Sequence, residues 1–301
     1  MNFDLTDDQR EIQRTARAYL GERYTPEMVR AIAFGGRPDP YWSEIAELGW
    51  PDVADLGTVE LAVVAEELGY ALAPSPLASH WAARLLYPGL QGRGTLAVDG
   101  GPAPHADGAD VVVLARDEGV FAVADPEIEP LRALDATRPL FAVRANGGVR
   151  VEVPPLAWEG VAVAAAAEAV GVAARVTGMA VEYAKERRQF GRPIGSYQAV
   201  SHACAQMYLE TEGARSLTYW AAWALDHDPE QAPLAAACAK AYASDAAVHV
   251  CRSALQVHGG IGFTWEHDLH LFLKRAESSA RAFAAPREQR ERVAELLLRA
   301  T

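Results

Sequence analysis

Residues 183–194 read Tyr183-Ala184-Lys185-Glu186-Arg187-Arg188-Gln189-Phe190-Gly191-Arg192-Pro193-Ile194, and Tyr197-Gln198-Ala199-Val200 follow close behind. A long helical pattern over about 156–188 runs into this stretch, and a second over about 197–226 leaves it. Arg187 and Arg188 stand at the end of the first helix, where the helix dipole favours cations, and Gly191 provides a helix stop. That accounts for a basic helix end but not for the particular order of residues. Two fixed guanidinium groups also suit a phosphate clamp.

Downstream, helical patterns continue over about 232–257, 266–283 and 286–299, broken at Pro229–Pro233, Gly259–Gly262 and Pro286. Long helices with short links predict an antiparallel four-helix bundle over 156–301. The first and third are rich in Ala on nearly all sides, which predicts burial. Upstream, Thr6-Asp7-Asp8-Gln9 reads as a capping box opening a helix to about Leu20, with Ile12, Ala16, Tyr19 and Leu20 on its apolar face. Pro26 suits a first helical position, and shorter helices are expected near 26–33, 41–48, 57–70 and 76–86. Between Gly89 and Pro155 the texture changes to Gly and Pro with short apolar runs, Val111–Leu114 and Val120–Val123. Turns at Asp117-Glu118-Gly119 and Asn146-Gly147-Gly148 separate them, with room for a small sheet of five or six strands. The expected fold is mainly α with a small β domain: an N-terminal helical domain over 1–88, a β domain over 89–155 and a C-terminal helical bundle over 156–301.

The 301 residues carry 28 basic and 40 acidic side chains, a formal charge of −12, and half are hydrophobic. A chain this acidic lacks the basic face that binding nucleic-acid phosphates or an anionic membrane requires. The first residues, MNFDLTDDQR, show no secretory signal, and the longest apolar stretch, Val161–Ala174, is broken by Glu168 and falls short of the ~20 residues of a membrane span. Cys204, Cys238 and Cys251 lack zinc-ligand spacing and are read as reduced, mostly buried thiols of a cytoplasmic protein.

A second informative stretch is Ala254-Leu255-Gln256-Val257-His258-Gly259-Gly260-Ile261-Gly262-Phe263-Thr264, a helix ending in a glycine-rich turn whose backbone can approach a ligand closely. Alone it reads as a helix cap. Taken together, Arg187-Arg188-Gln189-Phe190-Gly191 and Gln256-Val257-His258-Gly259-Gly260 resemble the Arg-x-x-Phe-Gly and Gln-x-x-Gly-Gly motifs of the acyl-CoA dehydrogenase family. Phe263–Asp268 and Leu273-Lys274-Arg275-Ala276 are also similar to family sequence. The resemblance implies FAD as cofactor, with Arg187 and Gln189 on the pyrophosphate side and Gln256, Gly259 and Gly260 on the adenosine side of a neighbouring subunit's FAD. Phe190 would pack near the flavin. The implied reaction is α,β-desaturation of an acyl-CoA thioester, with electrons passed to an electron-transfer flavoprotein.

Two departures qualify the resemblance. Family members remove the substrate α-proton with a glutamate placed either in a Tyr-Glu-Gly-Thr segment or early in the long helix. Ungapped alignment from Gly259-Gly260 puts Phe283 of Arg281-Ala282-Phe283-Ala284 at the first position, and counting back from Arg187 puts Val161 or Ala162 at the second. Glu159 is the one candidate base near that point, over half a turn out of register, and as an exposed first-turn acid favoured by the dipole it needs no function. Glu168 reads as a partnered structural carboxylate. Residues 89–155 are shorter than is usual for the family and carry no counterpart of its Thr-Glu-Pro-x-Ala-Gly-Ser-Asp segment, for which Val98-Asp99-Gly100-Gly101 is no substitute.

The remaining signals are read plainly. Asp135-Ala136-Thr137-Arg138 is read as a solvated turn in preference to a local ligand or interface motif. His267 and His270, three apart with no third ligand, are surface or interface histidines, and no metal site is expected. Cys204 and His202 point apart on one helix, and Trp81, Trp220, Trp223 and Trp265 are core or interface residues. The short, Ala- and Arg-rich chain resembles the small subunits of actinobacterial-type α2β2 members acting on steroid or other bulky acyl-CoA side chains. A second acyl-CoA dehydrogenase subunit, supplying the base, is therefore the expected partner. The alternatives are a self-sufficient homo-oligomeric flavoenzyme with a displaced base and a non-catalytic structural subunit.

Overall fold

The computed structural model describes residues 4–36, 41–145 and 147–299. Five helices come first: α1 (Asp7–Arg23), α2 (Pro26–Ala33), α3 (Trp42–Glu47), α4 (Thr58–Tyr70) and α5 (Leu77–Leu86). The capping box opens α1 as its residues dictate, with Thr6 Oγ1 accepting from the Gln9 N–H and Gln9 Oε1 accepting from the Thr6 N–H. Pro26 stands in the first turn of α2, where its missing N–H costs nothing.

The β region runs through β1 (Gly94–Val98), β2 (Ala103–Pro104), β3 (Val111–Arg116), β4 (Gly119–Val123), β5 (Glu127–Leu131), β6 (Leu140–Arg144) and β7 (Val149–Val151). One sheet of five or six strands was expected; these seven form two sheets, ordered β1-β3-β4-β7 and β2-β6-β5. Alternation explains the split. Val113 and Ala115 of β3 face the layer formed by α5 and the next helix, while Val112 and Leu114 face the second sheet through Ala103 and Phe141. A strand buried on both faces reads as an unbroken apolar run, as Val111–Leu114 does. The Asn146 part of the expected turn lies outside the described residues.

The C-terminal part holds α6 (Ala157–Glu186), a two-residue hairpin of β8 (Arg188–Gln189) and β9 (Arg192–Pro193), then α7 (Gln198–His227), α8 (Ala232–His258), α9 (Leu269–Arg281) and α10 (Pro286–Arg299). Three of these helices are long, and the shorter α9 completes the bundle while α10 lies along α8. The helix expected from 266 starts only at Leu269. By length and composition α6 suffices to cross a membrane, contrary to the sequence expectation, but 83% of its apolar window is buried inside the protein. It is the central strut of the core. At its crossing with α4 the backbones touch: a Cβ on Gly69 would lie 2.0 Å from the Glu168 carbonyl oxygen, and one on Gly171 would lie 1.9 Å from that of Glu66. Only glycine fits at either position.

Lys240, on α8, is fully buried. Its Nζ donates to Ser244 Oγ at 3.0 Å, to the Ser279 carbonyl at 3.0 Å and to that of Ala280 at 3.4 Å, so all three protons are placed. Burial pulls its pKa down to about 8, with Glu168 and Asp245 opposing. The unfolded chain therefore holds the proton over a pH range in which the folded chain has released it, and stability rises between about pH 8 and 10.5. Urea unfolding at pH 7.5 and pH 10 should show this rise, at most about 3 kcal/mol, in the native chain but not in Lys240→Met. Equal pH dependence in both would show that Lys240 does not carry it.

Candidate functional site

The two motifs come together at one end of the bundle. Tyr183, four residues before Arg187, stacks on His258, two residues after Gln256, with centroids 4.4 Å apart and planes 19° from parallel. His258 Nδ1 is 2.8 Å from the Ala254 carbonyl, and burial lowers the pKa of its ring. Gly191 is not a helix stop. The helix ends at Glu186, Arg187 is extended, and Phe190 (φ 52) with Gly191 (φ 82) turns the β8–β9 hairpin. Two positive φ angles in a two-residue loop make the turn type whose twist matches the strands. The Ile194 N–H donates to the Arg187 carbonyl at 2.8 Å and Tyr197 Oη to that of Gln189 at 3.2 Å, which fixes the hairpin to the start of α7.

The motif side chains on this hairpin face outward. Phe190 is 94% exposed, and Arg187, Gln189 and Gln256 are exposed as well. Among the described residues neither Arg187 nor Arg188 has an ion-pair partner, although carboxylates outnumber cations in the chain. A Cβ on Gly259 or Gly260 would meet nothing within 4 Å. The glycines leave backbone open to an approaching group rather than making room for the protein itself.

The positions implied for a base meet elsewhere, at a small cavity of about 40 Å³ between α5, α6, the β region and the end of α9. Val161 and Phe283 both line it, and neither can take a proton. Phe283 (φ 57) and Ala284 (φ 85) are both left-handed, so Ala284 holds a conformation suited to the glycine of Tyr-Glu-Gly-Thr. Glu159 does not line this cavity; it stands half-buried in the first turn of α6, its carboxylate 3.9 Å from Arg292 of α10.

One carboxylate does line the cavity: Glu168, with Arg138 beside it. Asp135-Ala136-Thr137-Arg138, expected as a solvated turn, is instead folded into the core, where Asp135 is 2% and Thr137 0% exposed. Arg275 of α9 donates from Nε to Asp135 Oδ2 (2.5 Å), from Nη1 to Glu168 Oε1 (2.9 Å) and from Nη2 to Thr137 Oγ1 (2.6 Å). Arg138 Nη2 reaches Glu168 Oε1 at 2.5 Å, and Ser279 Oγ lies 3.4 Å from Oε2. Burial pushes both carboxyl pKa values up, but the Arg138 and Arg275 guanidiniums outweigh it and hold both below the usual range. Glu168 is thus the partnered structural carboxylate its sequence setting predicts. The sequence missed Arg138 and Arg275 as its partners.

Residues 146–294 match the family model for the acyl-CoA dehydrogenase C-terminal domain. The chain is 33% identical over 313 residues to acyl-CoA dehydrogenase IpdE2 of Mycolicibacterium smegmatis, covering 95% of this chain and 98% of that protein. It belongs to the acyl-CoA dehydrogenase family. To IpdE2 of Mycobacterium tuberculosis it is 37% identical over 243 residues, 76% of this chain and 74% of the relative. Among solved structures, the Tcur3481-Tcur3483 steroid ACAD superposes with a TM-score of 0.86 at 26% identity, covering 98% of each chain. A chain of the ChsE4-ChsE5 complex from Mycobacterium tuberculosis shares the fold at a TM-score of 0.87 and 24% identity over 99% of each.

Acyl-CoA dehydrogenases are oxidoreductases, and the cofactor is FAD. The outward surface fits that group: unpaired guanidiniums suit a pyrophosphate, and open glycine backbone suits a nucleotide laid against it. Other side chains settle into ordinary roles. His267 precedes α9 rather than lying on it, with its ring 4.6 Å from that of His258, and His270 contacts Trp265 at 4.7 Å. Trp81 is buried while Trp265 is 65% exposed, and of the three cysteines only Cys251 is fully buried.

Proposed function

We propose that this chain is the cofactor-clasping subunit of a heteromeric FAD-dependent acyl-CoA dehydrogenase whose partner subunit supplies the catalytic base. The observation that carries this reading is the cavity lined by Val161 and Phe283. Both implied base positions are apolar there, and Glu168 is committed to Arg138 and Arg275. FAD, when bound, supplies the two-electron acceptor for the β-hydride of an acyl-CoA thioester. This chain's residues bind and orient it from across the subunit boundary. Arg187 places a guanidinium on the pyrophosphate and Gln189 donates beside it, while Gln256 and the backbone of Gly259 and Gly260 receive the adenosine side. Phe190, at the hairpin tip, covers the flavin side and excludes water. The α-proton goes to the partner's carboxylate, because both implied base positions here are apolar and Glu168 is held by Arg138 and Arg275.

The similarity to a steroid ACAD supports a bulky, steroid-like acyl group, and an electron-transfer flavoprotein as acceptor follows from the family chemistry. Expression alone and with a neighbouring dehydrogenase gene product, followed by size-exclusion with light scattering and 450 nm absorbance, tests the arrangement. Alone, the chain should run colourless or aggregate; together the two should co-elute yellow and desaturate acyl-CoA. A yellow, active homo-oligomer of this chain alone would overturn the reading.

A further inference from the structure

A second cavity, of about 150 Å³, lies between α1, α2, α4, α6 and α9 and shares no lining residue with the cavity at Phe283. Its walls are apolar, with Leu20, Val29, Met179 and Phe272 among them, and Tyr70 forms one side. Four charged side chains also reach it: Arg17, Glu67, Arg175 and Asp268. Three are already neutralised. Arg17 and the buried Glu67 pair through both carboxylate oxygens, and Arg30 meets Asp268 at 2.6 Å. Arg175 remains. Its guanidinium lies 5.4 Å from the Tyr70 ring centroid, and it has neither an ion pair nor a side-chain hydrogen bond to any described residue.

We propose that this cavity binds a small aromatic carboxylate, its ring among Leu20, Met179 and Phe272 and its carboxylate on Arg175. The volume sets the size of the ligand. An apolar space of about 150 Å³ accommodates a single benzene-sized ring and is far too small for a coenzyme A thioester. A flat ring suits a wall carrying Met179 and Phe272, since a thioether and an aromatic edge both pack well on a π-face. The charge balance sets the sign. With Arg17 satisfied by Glu67 and Asp268 by Arg30, one guanidinium is in excess, and a guanidinium fork matches a carboxylate. The site is independent of the flavin-clasping reading, because it shares no residue with Arg187, Gln189, Gln256, Gly259 or Gly260.

Calorimetric titration of the full chain in its purified assembly with phenylacetate, and with the neutral isostere phenylacetamide, tests the proposal. Phenylacetate should bind once per chain and the amide at least about tenfold more weakly, the factor expected for losing one charge-assisted hydrogen bond. Arg175→Met should remove that difference while leaving the amide unaffected, and Met179→Trp, which fills the space, should abolish binding of both. Because acid and amide are compared on the unaltered protein, the result does not depend on any variant folding. No saturable phenylacetate binding up to about 10 mM (an affinity too weak for a built site), equal affinity for acid and amide, or unchanged phenylacetate binding in Arg175→Met would each overturn it.

Discussion

Arg275→Met should lower the stability of the chain by about 3–5 kcal/mol, the cost of leaving buried charge without its partner, and its melting temperature by roughly 10 °C. Arg275 is 1% exposed and, among the described residues, is the only side chain with ion pairs to both Asp135 and Glu168. Without it, Arg138 alone must balance two buried carboxylates, and the Thr137 hydroxyl loses its donor. The pH dependence separates this from a simple packing defect. In the native chain both carboxyl pKa values are depressed, so their contribution is present above the unfolded values near 4 and is lost as pH falls through the lower folded values. In Arg275→Met at least one carboxyl is pushed up and protonates early, so the gap between variant and native chain should narrow as pH falls below about 5. Adding Asp135→Asn, which keeps an acceptor for the Thr137 N–H but removes one charge, should recover more than half of the loss. Thermal melts of the three proteins at pH 7 and pH 4.5 would show this. A constant gap with pH would mean that Arg275 acts through packing alone.

What the sequence reveals follows from the range over which each feature is encoded. Thr6 with Gln9, Pro26 and the Ala-rich runs of α6 and α8 act within a few residues of themselves, and those helices lie within a few residues of where the pattern puts them. The cluster around Glu168 is encoded differently. Asp135 meets Arg275 140 residues on, and Arg138 meets Glu168 30 residues on, so no local pattern distinguishes them from a polar turn. An arginine at position 275 in the apolar half of an otherwise amphipathic helix was the available signal. The hairpin at Phe190-Gly191 was missed for another reason. Arg-x-x-Phe-Gly ends a helix and opens a turn, and Gly191 satisfies either reading until the positive φ of Phe190 is known. The two sheets of the β region depend on which face of β3 each neighbour covers, which a run of four valine and leucine residues does not specify. Both candidate base positions, by contrast, come from counting along the motifs that resemble the family's. What the spacing could not show is that Val161 and Phe283 line the same cavity.

Arg187→Ala combined with Gln256→Ala should release FAD from the assembled enzyme while leaving the assembly and the fold of this chain intact. Both side chains are exposed, and Arg187 makes no ion pair with any described residue, so truncation leaves no buried group unsatisfied and costs the chain less than about 0.5 kcal/mol. Against the cofactor the same two changes remove a charge-assisted contact to phosphate and an amide hydrogen bond, together about 2–4 kcal/mol or 30- to 1000-fold in FAD affinity. The separation of these two effects is the point of the experiment. A residue that merely completes the fold would lower the melting temperature of the apo chain, whereas a cofactor ligand would leave that melt unchanged and move only flavin retention at 450 nm and activity at subsaturating FAD. Added FAD should restore activity in the variant, because the base proposed for the partner is untouched. Full FAD retention in the double variant would make this chain a structural subunit whose motifs bind nothing. Activity that stays lost once excess FAD has refilled the site would place Arg187 and Gln256 in the chemistry rather than in the clasp.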